Sequence, residues 1–441
     1  MRMFEGQRAE PTLKRRLGLL DAISIGLGAI IGAGIFVLIG TAAGMAGPAV
    51  FISIVISGLS ATFTAMSFGD LATRMPRAGG AYEYGHELIS PPVGFLMGWL
   101  FIFGNLLVGS TASLGFGHYL ETATGFIPFR IGALLSLSLI ILFNVMGAKR
   151  SALANDLLVL AKVGALSLFI ALGLPRIQPS FFDDILPNGP FPVIQAASLF
   201  YFAYIGFPRI ATTAEEIKDP EVNIRRAIRI SLLLSSLIYL FTSITAVGLV
   251  GYERLGDSKT PIADASEELG MGGVVEVGAL LATLSVVLTS VLGQSRVFFA
   301  MARNGEIPHF LSRLHGRYDT PVYSVLLSGM LMIALALSVD ITSLAYLSSL
   351  CVLFTHILVN YAALKLRGRP VEGSDRTKTH SLHAIVGLTL SSLLISGMEI
   401  STIAMGLLVA TAGLMWYAVY IKLFRGAGSS HVLPSMADGE P

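Results

Sequence analysis

Glycine residues recur inside the first long apolar segment, which covers residues 17–44: Gly26, Gly28, Gly32, Gly34 and Gly40. A glycine inside a helix costs about 1 kcal/mol relative to alanine, so a helix that only had to be apolar would avoid so many. Unwinding at residues 32–34 would expose backbone N–H and C=O groups, which a membrane tolerates only where the chain lines a cavity or packs inside protein. The segment is therefore predicted to be a solute-binding break rather than a plain anchor.

A second apolar segment, residues 191–214, carries Gly206 and Pro208 close to its middle. Proline lacks a backbone donor and clashes with the preceding turn, which predicts a second helix break five helices after the first. Interrupted segments at corresponding positions of two halves of a chain are the best sequence indication of a transporter binding site. The alternative is that both segments are ordinary glycine-rich packing helices, since glycine is common in membrane helices.

Lys162 lies about ten residues into the fifth apolar segment, hence about 15 Å deep at a rise of 1.5 Å per residue. A lysine at that depth does not easily reach water through lipid. Ionisable residues inside membrane segments are candidates for function, and burial disfavours the charged form of lysine. Lys162 could therefore gain and lose a proton during a working cycle. The alternative is a fixed ion pair, or a lysine hydrogen-bonded to carbonyl groups.

Three more polar side chains lie inside predicted helices: Asn105, Arg209 and Arg296. A buried amide needs hydrogen-bond partners, so Asn105 could face a substrate or could join two helices. Arg209 directly follows the second break and is expected to line an inner vestibule. Arg296 is expected to pack against inner acidic residues such as Asp70 or Glu215, and a gating salt bridge is the alternative.

The composition places these residues in a membrane protein. The 441 residues are 54% hydrophobic and 13% charged, with a mean hydropathy of +0.73, whereas soluble domains carry about 25% charged residues. Apolar runs of about 18 or more residues recur along the chain, which indicates an all-α membrane protein with several spans. Twelve transmembrane helices are predicted at residues 17–44, 48–73, 92–119, 127–146, 152–174, 191–214, 227–251, 272–301, 321–339, 342–366, 381–397 and 400–424.

The basic residues fix the expected orientation. If the N-terminus is inside, only four of the 30 lysines and arginines fall in outer loops, namely Arg130, Arg176, Arg254 and Lys259. Cytoplasmic loops carry the excess of lysine and arginine in membrane proteins. We therefore expect a multi-pass protein of the cell membrane with both termini in the cytoplasm.

Several classes of function lack their sequence signatures. Cys351 is the single cysteine, which excludes an internal disulfide and a typical zinc site. There is no basic run suited to nucleic acid, no HExxH motif, no serine–histidine pattern of an intramembrane enzyme and no channel-type selectivity loop. We therefore expect no enzymatic activity, no metal or other cofactor, and no nucleic-acid partner.

Four stretches resemble the amino acid–polyamine–organocation (APC) superfamily of transporters, and most closely its prokaryotic amino acid permeases. They follow the family's order over roughly residues 15–370: GLGAIIGAGIF at 26–36, FGDLATRMPRAGGAYEY at 68–84, FAYIGF at 202–207 followed by EEIKDP at 215–220, and RVFFAMARNGEIP at 296–308. The resemblance implies a leucine-transporter-like fold with a 5+5 inverted repeat plus two C-terminal helices. The expected parts are a cytoplasmic N-terminus (1–16), repeat 1 (17–174), repeat 2 (191–366), helices 11 and 12 (381–424) and a disordered cytoplasmic tail (425–441).

The resemblance further implies secondary active transport of an amino acid across the lipid bilayer. Backbone N–H groups near Ala33 and Gly34 would bind its carboxylate, and carbonyl groups near Ile30, Phe202 and Ile205 would bind its ammonium. The predicted substrate-binding residues are Ile30, Gly32, Ala33, Gly34, Asn105, Phe202, Ala203, Ile205 and Gly206. Phe202 would cover the substrate, or it belongs to the core. No carboxylate lies near the middle of a predicted span, so neutral or broad-range amino acids are expected rather than cationic ones.

The resemblance also implies how transport is driven. Some proton-coupled relatives place a lysine from the fifth helix where sodium-coupled relatives bind the ion, and Lys162 matches that pattern. Its ammonium would contact a carbonyl of Gly28 or Ala29 and the hydroxyl of Ser285, which predicts proton symport into the cell. The alternatives are an amino acid/amine exchanger and a non-transporting nutrient sensor. Residues 119–127 contain no cysteine, so no disulfide-linked glycoprotein subunit is expected.

Overall fold

The computed structural model describes residues 15–75, 79–146, 148–316, 318–366 and 381–420. In this part of the chain the regular structure is helical, and the sole β-contact is an isolated bridge between Leu17 and Ile217. Two predicted segments, residues 1–14 of the N-terminus and the tail 425–441, lie outside the described residues. The α-helices are α1 (Leu19–Ile30), α2 (Ile39–Ala46), α3 (Val50–Arg74), α4 (Ala81–Leu88), α5 (Pro91–Thr124), α6 (Phe129–Val145), α7 (Ala148–Gly173), α8 (Phe191–Phe200), α9 (Pro208–Thr212), α10 (Pro220–Val250), α11 (Tyr252–Asp257), α12 (Pro261–Glu267), α13 (Gly272–Arg303), α14 (Val322–Ser338), α15 (Ile341–Lys365), α16 (Ser381–Ser396) and α17 (Ile400–Tyr420).

Eight helical stretches of the described residues are long and apolar enough to cross a membrane. The first of them, Leu19–Arg74, has 56 residues, and a continuous helix of that length would measure roughly 84 Å. This is more than twice the thickness of a bilayer core, about 30 Å. Three shorter apolar helices accompany the eight stretches: Phe129–Val145, Val322–Ser338 and Leu382–Ser396. The chain is therefore a multi-pass membrane protein, while the count of twelve spans stays a prediction.

The distribution of side chains is that of a protein embedded in lipid. Large apolar residues such as Leu157, Leu160 and Leu408 are exposed on the outer surface. The buried residues of α17 are Gly406 and Gly413, so this helix lies at the periphery. Soluble proteins rarely expose such extensive apolar surface, because water makes it costly.

The fold differs from the predicted helices at several places, which include the start of α10 and the short helices α4, α11 and α12. The helix expected at residues 227–251 begins at Pro220, because proline is favoured in the first turn of a helix and Asp219 precedes it in a left-handed conformation. The first turns of this helix carry charged residues, so they do not form part of an apolar run in the sequence. The short helix α4, after α3, was not predicted, since its eight residues carry two glutamates and a histidine.

The first helix is tied to the loop after α9 by main-chain hydrogen bonds. The N–H of Leu17 donates to the carbonyl of Glu216 at 2.9 Å, and the N–H of Lys218 donates to the carbonyl of Leu17 at 2.8 Å. Helix α13 packs against α1, α5 and α7. These contacts hold the two interrupted segments side by side in the interior.

Candidate functional site

The first apolar segment is interrupted where the glycines predicted. Helix α1 ends at Ile30, Ile31 is extended (φ −77°, ψ 109°), and a π-helical turn begins at Gly34. The backbone N–H groups of Gly32 and Ala33 make no hydrogen bond to any described residue. The break therefore leaves donors free in the protein interior, at the start of the second half of the helix.

The second segment is interrupted as well. Helix α8 ends at Phe200, a 3-10 turn follows at Tyr201–Tyr204, and α9 begins at Pro208. The two breaks contact each other, because a Cβ added to Gly34 would lie 2.3 Å from the Cβ of Ala203. That is closer than carbon atoms approach without a bond, so glycine is required at position 34 for this contact.

Lys162 connects α7 to the first break. Its Nζ donates to the carbonyl oxygens of Gly28 at 3.0 Å and Ile31 at 2.5 Å, and to the hydroxyl of Ser285 at 2.6 Å. The side chain is fully buried. An ammonium has three donors, and these three acceptors satisfy all of them.

The Lys162 contacts differ in one respect from those expected. Lys162 contacts Gly28 and Ser285, which the family resemblance implied as partners, and it also contacts Ile31, which was not expected. The extended backbone of Ile31 turns its carbonyl away from the helix axis and towards α7. Ala29, the alternative to Gly28, is not a partner of Lys162, because its carbonyl accepts a hydrogen bond from Arg209.

Arg209 lies in the interior and not along an open vestibule. Its guanidinium is fully buried and donates to the carbonyl of Ala29 at 3.3 Å and to the Asn105 side-chain oxygen at 3.1 Å. It also contacts the hydroxyls of Thr289 at 3.4 Å and Ser290 at 2.7 Å on α13. Arg209 therefore connects α9 with α1, α5 and α13.

Asn105 joins two helices in this structure, which is one of the two roles that the sequence left open. Its oxygen accepts from Arg209, and its Nδ2 donates to the carbonyl of Phe101 one turn earlier in α5, at 2.8 Å. Phe202 is 4% exposed and lies in the hydrophobic core. The remaining predicted substrate-binding residues are also buried: Ile30, Gly32, Ala33, Gly34, Ala203, Ile205 and Gly206.

Tyr239 of α10 is part of the site and was not predicted. Its hydroxyl lies 2.6 Å from the carbonyl oxygen of Ile30 and 3.2 Å from that of Ala203, so it bridges both breaks. A buried tyrosine hydroxyl needs a hydrogen-bond partner, and this is the signal that could have identified it. The carbonyl of Ile30, expected to bind a substrate ammonium, is thus held by Tyr239 here.

Charged residues near the C-terminal end of α13 pair with acidic residues after α9. Arg296 Nε lies 2.9 Å from Glu216 Oε1, and Arg303 Nη2 lies 3.2 Å from Glu215 Oε1. The two arginines are seven residues apart on α13 and therefore share a face, so each of them pairs with one of two consecutive glutamates. These pairs fix α13 to the loop after α9.

The acidic partner of Arg296 is Glu216, which is neither of the two residues given as examples. Neither Asp70 nor Glu215 pairs with it, because Asp70 pairs with Arg225 of α10 at 3.0 Å and Glu215 pairs with Arg303. The expected kind of contact is present, since Arg296 packs against an acidic residue, while the inner position of that residue stays a prediction. Among the residues that the structure describes, no cluster of histidine, cysteine, aspartate or glutamate could hold a metal ion.

Comparisons with known proteins identify the family of the chain. A sequence model described as amino acid permease matches residues 21–426. The chain is 30% identical to the branched-chain amino acid permease BcaP of Bacillus subtilis over 94% of both chains. It is 28% identical to the methylthioribose transporter of Bacillus subtilis, over 84% of this chain and 85% of that one. It is 31% identical to the vacuolar cationic amino acid transporter 4 of Arabidopsis thaliana, over 82% of this chain and 64% of the relative.

The family resemblance drawn from the four sequence stretches is thus confirmed, and the relatives are transporters and not enzymes. The matched residues 21–426 include the whole candidate site, that is, both helix breaks, Lys162 and the ion pairs of α13. The chain belongs to the amino acid permease family of the APC superfamily and is an amino acid transporter embedded in the membrane.

Proposed function

We propose that this protein carries amino acids into the cell together with protons, by alternating access, as a symporter. The observation that carries this proposal is Lys162, a fully buried amine bound to the break of α1 and to α13. A side chain that can change its charge at this place can link a proton to the position of the helix that binds the substrate.

The substrate would bind at the two breaks. The substrate carboxylate would bind near Ala33 and Gly34, at the start of a helical turn. The N–H groups of Gly32 and Ala33 are free there, and the positive end of the helix dipole favours a carboxylate. Carbonyl groups at the ends of α1 and α8, including that of Ile30, would accept from the ammonium. In this arrangement the Tyr239 hydroxyl leaves the carbonyl of Ile30 when the ammonium arrives.

The substrate range follows from the charges around the breaks. The side chains that bond to the end of α1 are Lys162, Arg209, Tyr239 and Ser285, and none of them is acidic. A cationic substrate side chain would therefore meet no carboxylate there. This supports neutral or broad-range amino acids without a cationic side chain.

Proton coupling would work through the strength of the Lys162 hydrogen bonds. Charge-assisted hydrogen bonds are roughly twice as strong as neutral ones, so the ammonium holds α7 to α1 more firmly than the amine does. Loss of the proton on the inner side weakens the bonds to Gly28 and Ile31. Helix α1 is then free to move away from α7 and open the inner side.

The fold proposed for this cycle has twelve transmembrane helices. The two contacting breaks at corresponding positions support a first repeat at residues 17–174 and a second at 191–366, followed by two helices at 381–424. The segregation of lysine and arginine supports a position in the cell membrane with both termini in the cytoplasm.

The test uses purified protein in proteoliposomes with an imposed inward proton gradient and no sodium. We expect uphill uptake of labelled amino acids that a protonophore abolishes. Uptake that requires preloading with an unlabelled solute would contradict symport and indicate exchange.

The decisive variant is Lys162→Ala, with Lys259→Ala as the matched control because Lys259 is exposed in an outer loop. Lys162→Ala should lose uphill accumulation, whereas Lys259→Ala should keep it. Undiminished proton-driven accumulation in Lys162→Ala would refute the coupling role of Lys162.

A further inference from the structure

Arg209 is a fully buried cation that contacts only neutral groups among the described residues. Its partners are the carbonyl of Ala29, the amide of Asn105 and the hydroxyls of Thr289 and Ser290. None of the ion pairs in the described part of the chain includes Arg209. Arg296 is equally buried but pairs with Glu216, so the two buried arginines differ in whether they have an anion.

A second cation approaches the same backbone segment. Lys162 binds the carbonyl of Gly28, and Arg209 binds the carbonyl of the next residue, Ala29. Burying a charge is unfavourable unless an opposite charge accompanies it, and like charges repel strongly where water is excluded. A negative charge brought by a ligand would stabilise this arrangement.

Arg209 is placed to meet such a charge. It follows Gly206 by three residues, and Gly206 lies against the backbone of Ala29, where the two breaks touch. A guanidinium has five N–H donors, and the four hydrogen bonds of Arg209 leave one of them free. Asn105 and Ser290 are neutral acceptors that a carboxylate could replace with a stronger two-point contact.

We propose that Arg209 binds a carboxylate on the side chain of the substrate, so that the transporter prefers acidic amino acids to their neutral analogues. This proposal rests on the function proposed above. Of the two substrate ranges given there, it takes the broad one and places acidic side chains ahead of neutral ones within it. A neutral amino acid brings one carboxylate and one ammonium, and the breaks bind both, so its net charge is zero. Only a second anionic group supplies the negative charge that Arg209 lacks.

The experiment compares pairs of substrates that have nearly the same shape and differ in charge. Unlabelled glutamate and glutamine, and likewise aspartate and asparagine, compete for proton-driven uptake into proteoliposomes. We expect the acidic member of each pair to inhibit at a concentration at least about tenfold lower, which corresponds to about 1.4 kcal/mol. Equal inhibition by both members in the unmodified protein would overturn the proposal.

Variants then assign the preference to Arg209. Arg209→Gln should bring the ratio of glutamine to glutamate inhibition constants close to one, and Arg209→Lys should keep part of the preference. Arg225→Gln is the matched control, because Arg225 is partly exposed and pairs with Asp70 away from the breaks. The ratio should stay unchanged in Arg225→Gln, and an equal loss there would overturn the assignment.

The remaining outcome is that Arg209 only holds helices together. In that case Arg209→Gln and Arg209→Lys would both lose uptake of acidic and neutral substrates to the same extent. Thermal stabilisation of the unmodified protein by glutamate and by glutamine decides this without any variant, and equal stabilisation would overturn the proposal. No uptake of any amino acid by the unmodified protein would instead refute the proposed function itself.

Discussion

Gly206 lies directly against the backbone of Ala29, with no side chain between the two helix breaks. A Cβ at position 206 would lie 2.3 Å from the carbonyl carbon and 2.4 Å from the carbonyl oxygen of Ala29. The backbone cannot yield easily at this point, because the same carbonyl accepts from Arg209 and the next one accepts from Tyr239. Both halves of the candidate site therefore require a residue without a side chain at position 206.

Gly206→Ala should abolish transport and lower the stability of the protein. The added methyl group forces the two breaks apart, and overpacking of an interior typically costs about 1–3 kcal/mol. Uptake into proteoliposomes and the midpoint of thermal unfolding in detergent measure the two effects.

Gly164→Ala is the matched control for this substitution. Gly164 lies on α7, and a Cβ there would have no atom within 4 Å. This variant should keep transport, and its stability should be equal or higher by up to about 1 kcal/mol, since alanine is the better helix former. Normal transport by Gly206→Ala would contradict the tight contact between the breaks.

The helix breaks could be predicted because glycine and proline act on the backbone close to their own positions. The partners of the break could be predicted only in part. Tyr239 of α10 reaches the break through the packing of separate helices, and the carbonyl of Ile31 faces Lys162 only because the backbone of Ile31 is extended. The same reason applies to Arg296: the sequence predicted an acidic partner, but not that Glu216 pairs with Arg296 while Glu215 pairs with Arg303. Helix α4 was not predicted because it is short and polar and does not cross the membrane.

Tyr239→Phe should destabilise the protein and change its transport rate. The substitution removes only the hydroxyl that contacts the carbonyls of Ile30 and Ala203, and a buried carbonyl without a partner costs about 1–3 kcal/mol. Thermal unfolding and the initial rate of uptake check the prediction. Tyr323→Phe is the control, because Tyr323 is 52% exposed and should tolerate the loss of its hydroxyl. Identical behaviour of the two variants would argue against a bridge between the breaks.

Ser285→Ala should weaken the coupling of transport to protons. The Ser285 hydroxyl accepts from the Lys162 ammonium at 2.6 Å, and by rotation it can donate to the neutral amine. Without it, Lys162 loses one of three partners in either state of charge, so proton-driven uptake should fall several-fold and depend differently on pH. The measurement is uptake over a series of external pH values.

Ser338→Ala serves as the control for Ser285→Ala. Its hydroxyl is exposed and bonds to the carbonyl of Ala334 within its own helix, α14. Its uptake should follow the pH dependence of the unmodified protein. If Ser285→Ala did the same, the hydroxyl would have no part in proton coupling.

The contact between His86 and Glu306 should make the stability of the folded protein depend on pH. His86 Nε2 on α4 lies 3.5 Å from Glu306 Oε1, and the glutamate is fully buried. The Glu306 carboxylate raises the pKa of His86 above its usual value of about 6.5, although partial burial of the ring opposes this rise. Because the folded protein binds this proton more tightly than the unfolded chain, protonation of His86 stabilises the folded state.

The sign of the effect follows from that order of pKa values. The stabilisation is complete below about pH 6.5, where both states carry the proton, and it disappears as the pH rises through the higher pKa of the folded state. A double-mutant cycle with His86→Gln, Glu306→Gln and both together should give a coupling energy of about 0.5–3 kcal/mol at pH 5.5. At pH 8.5 the coupling should be much smaller. A coupling that is constant over this range, or larger at alkaline pH, would show that His86 does not carry the charge assigned to it.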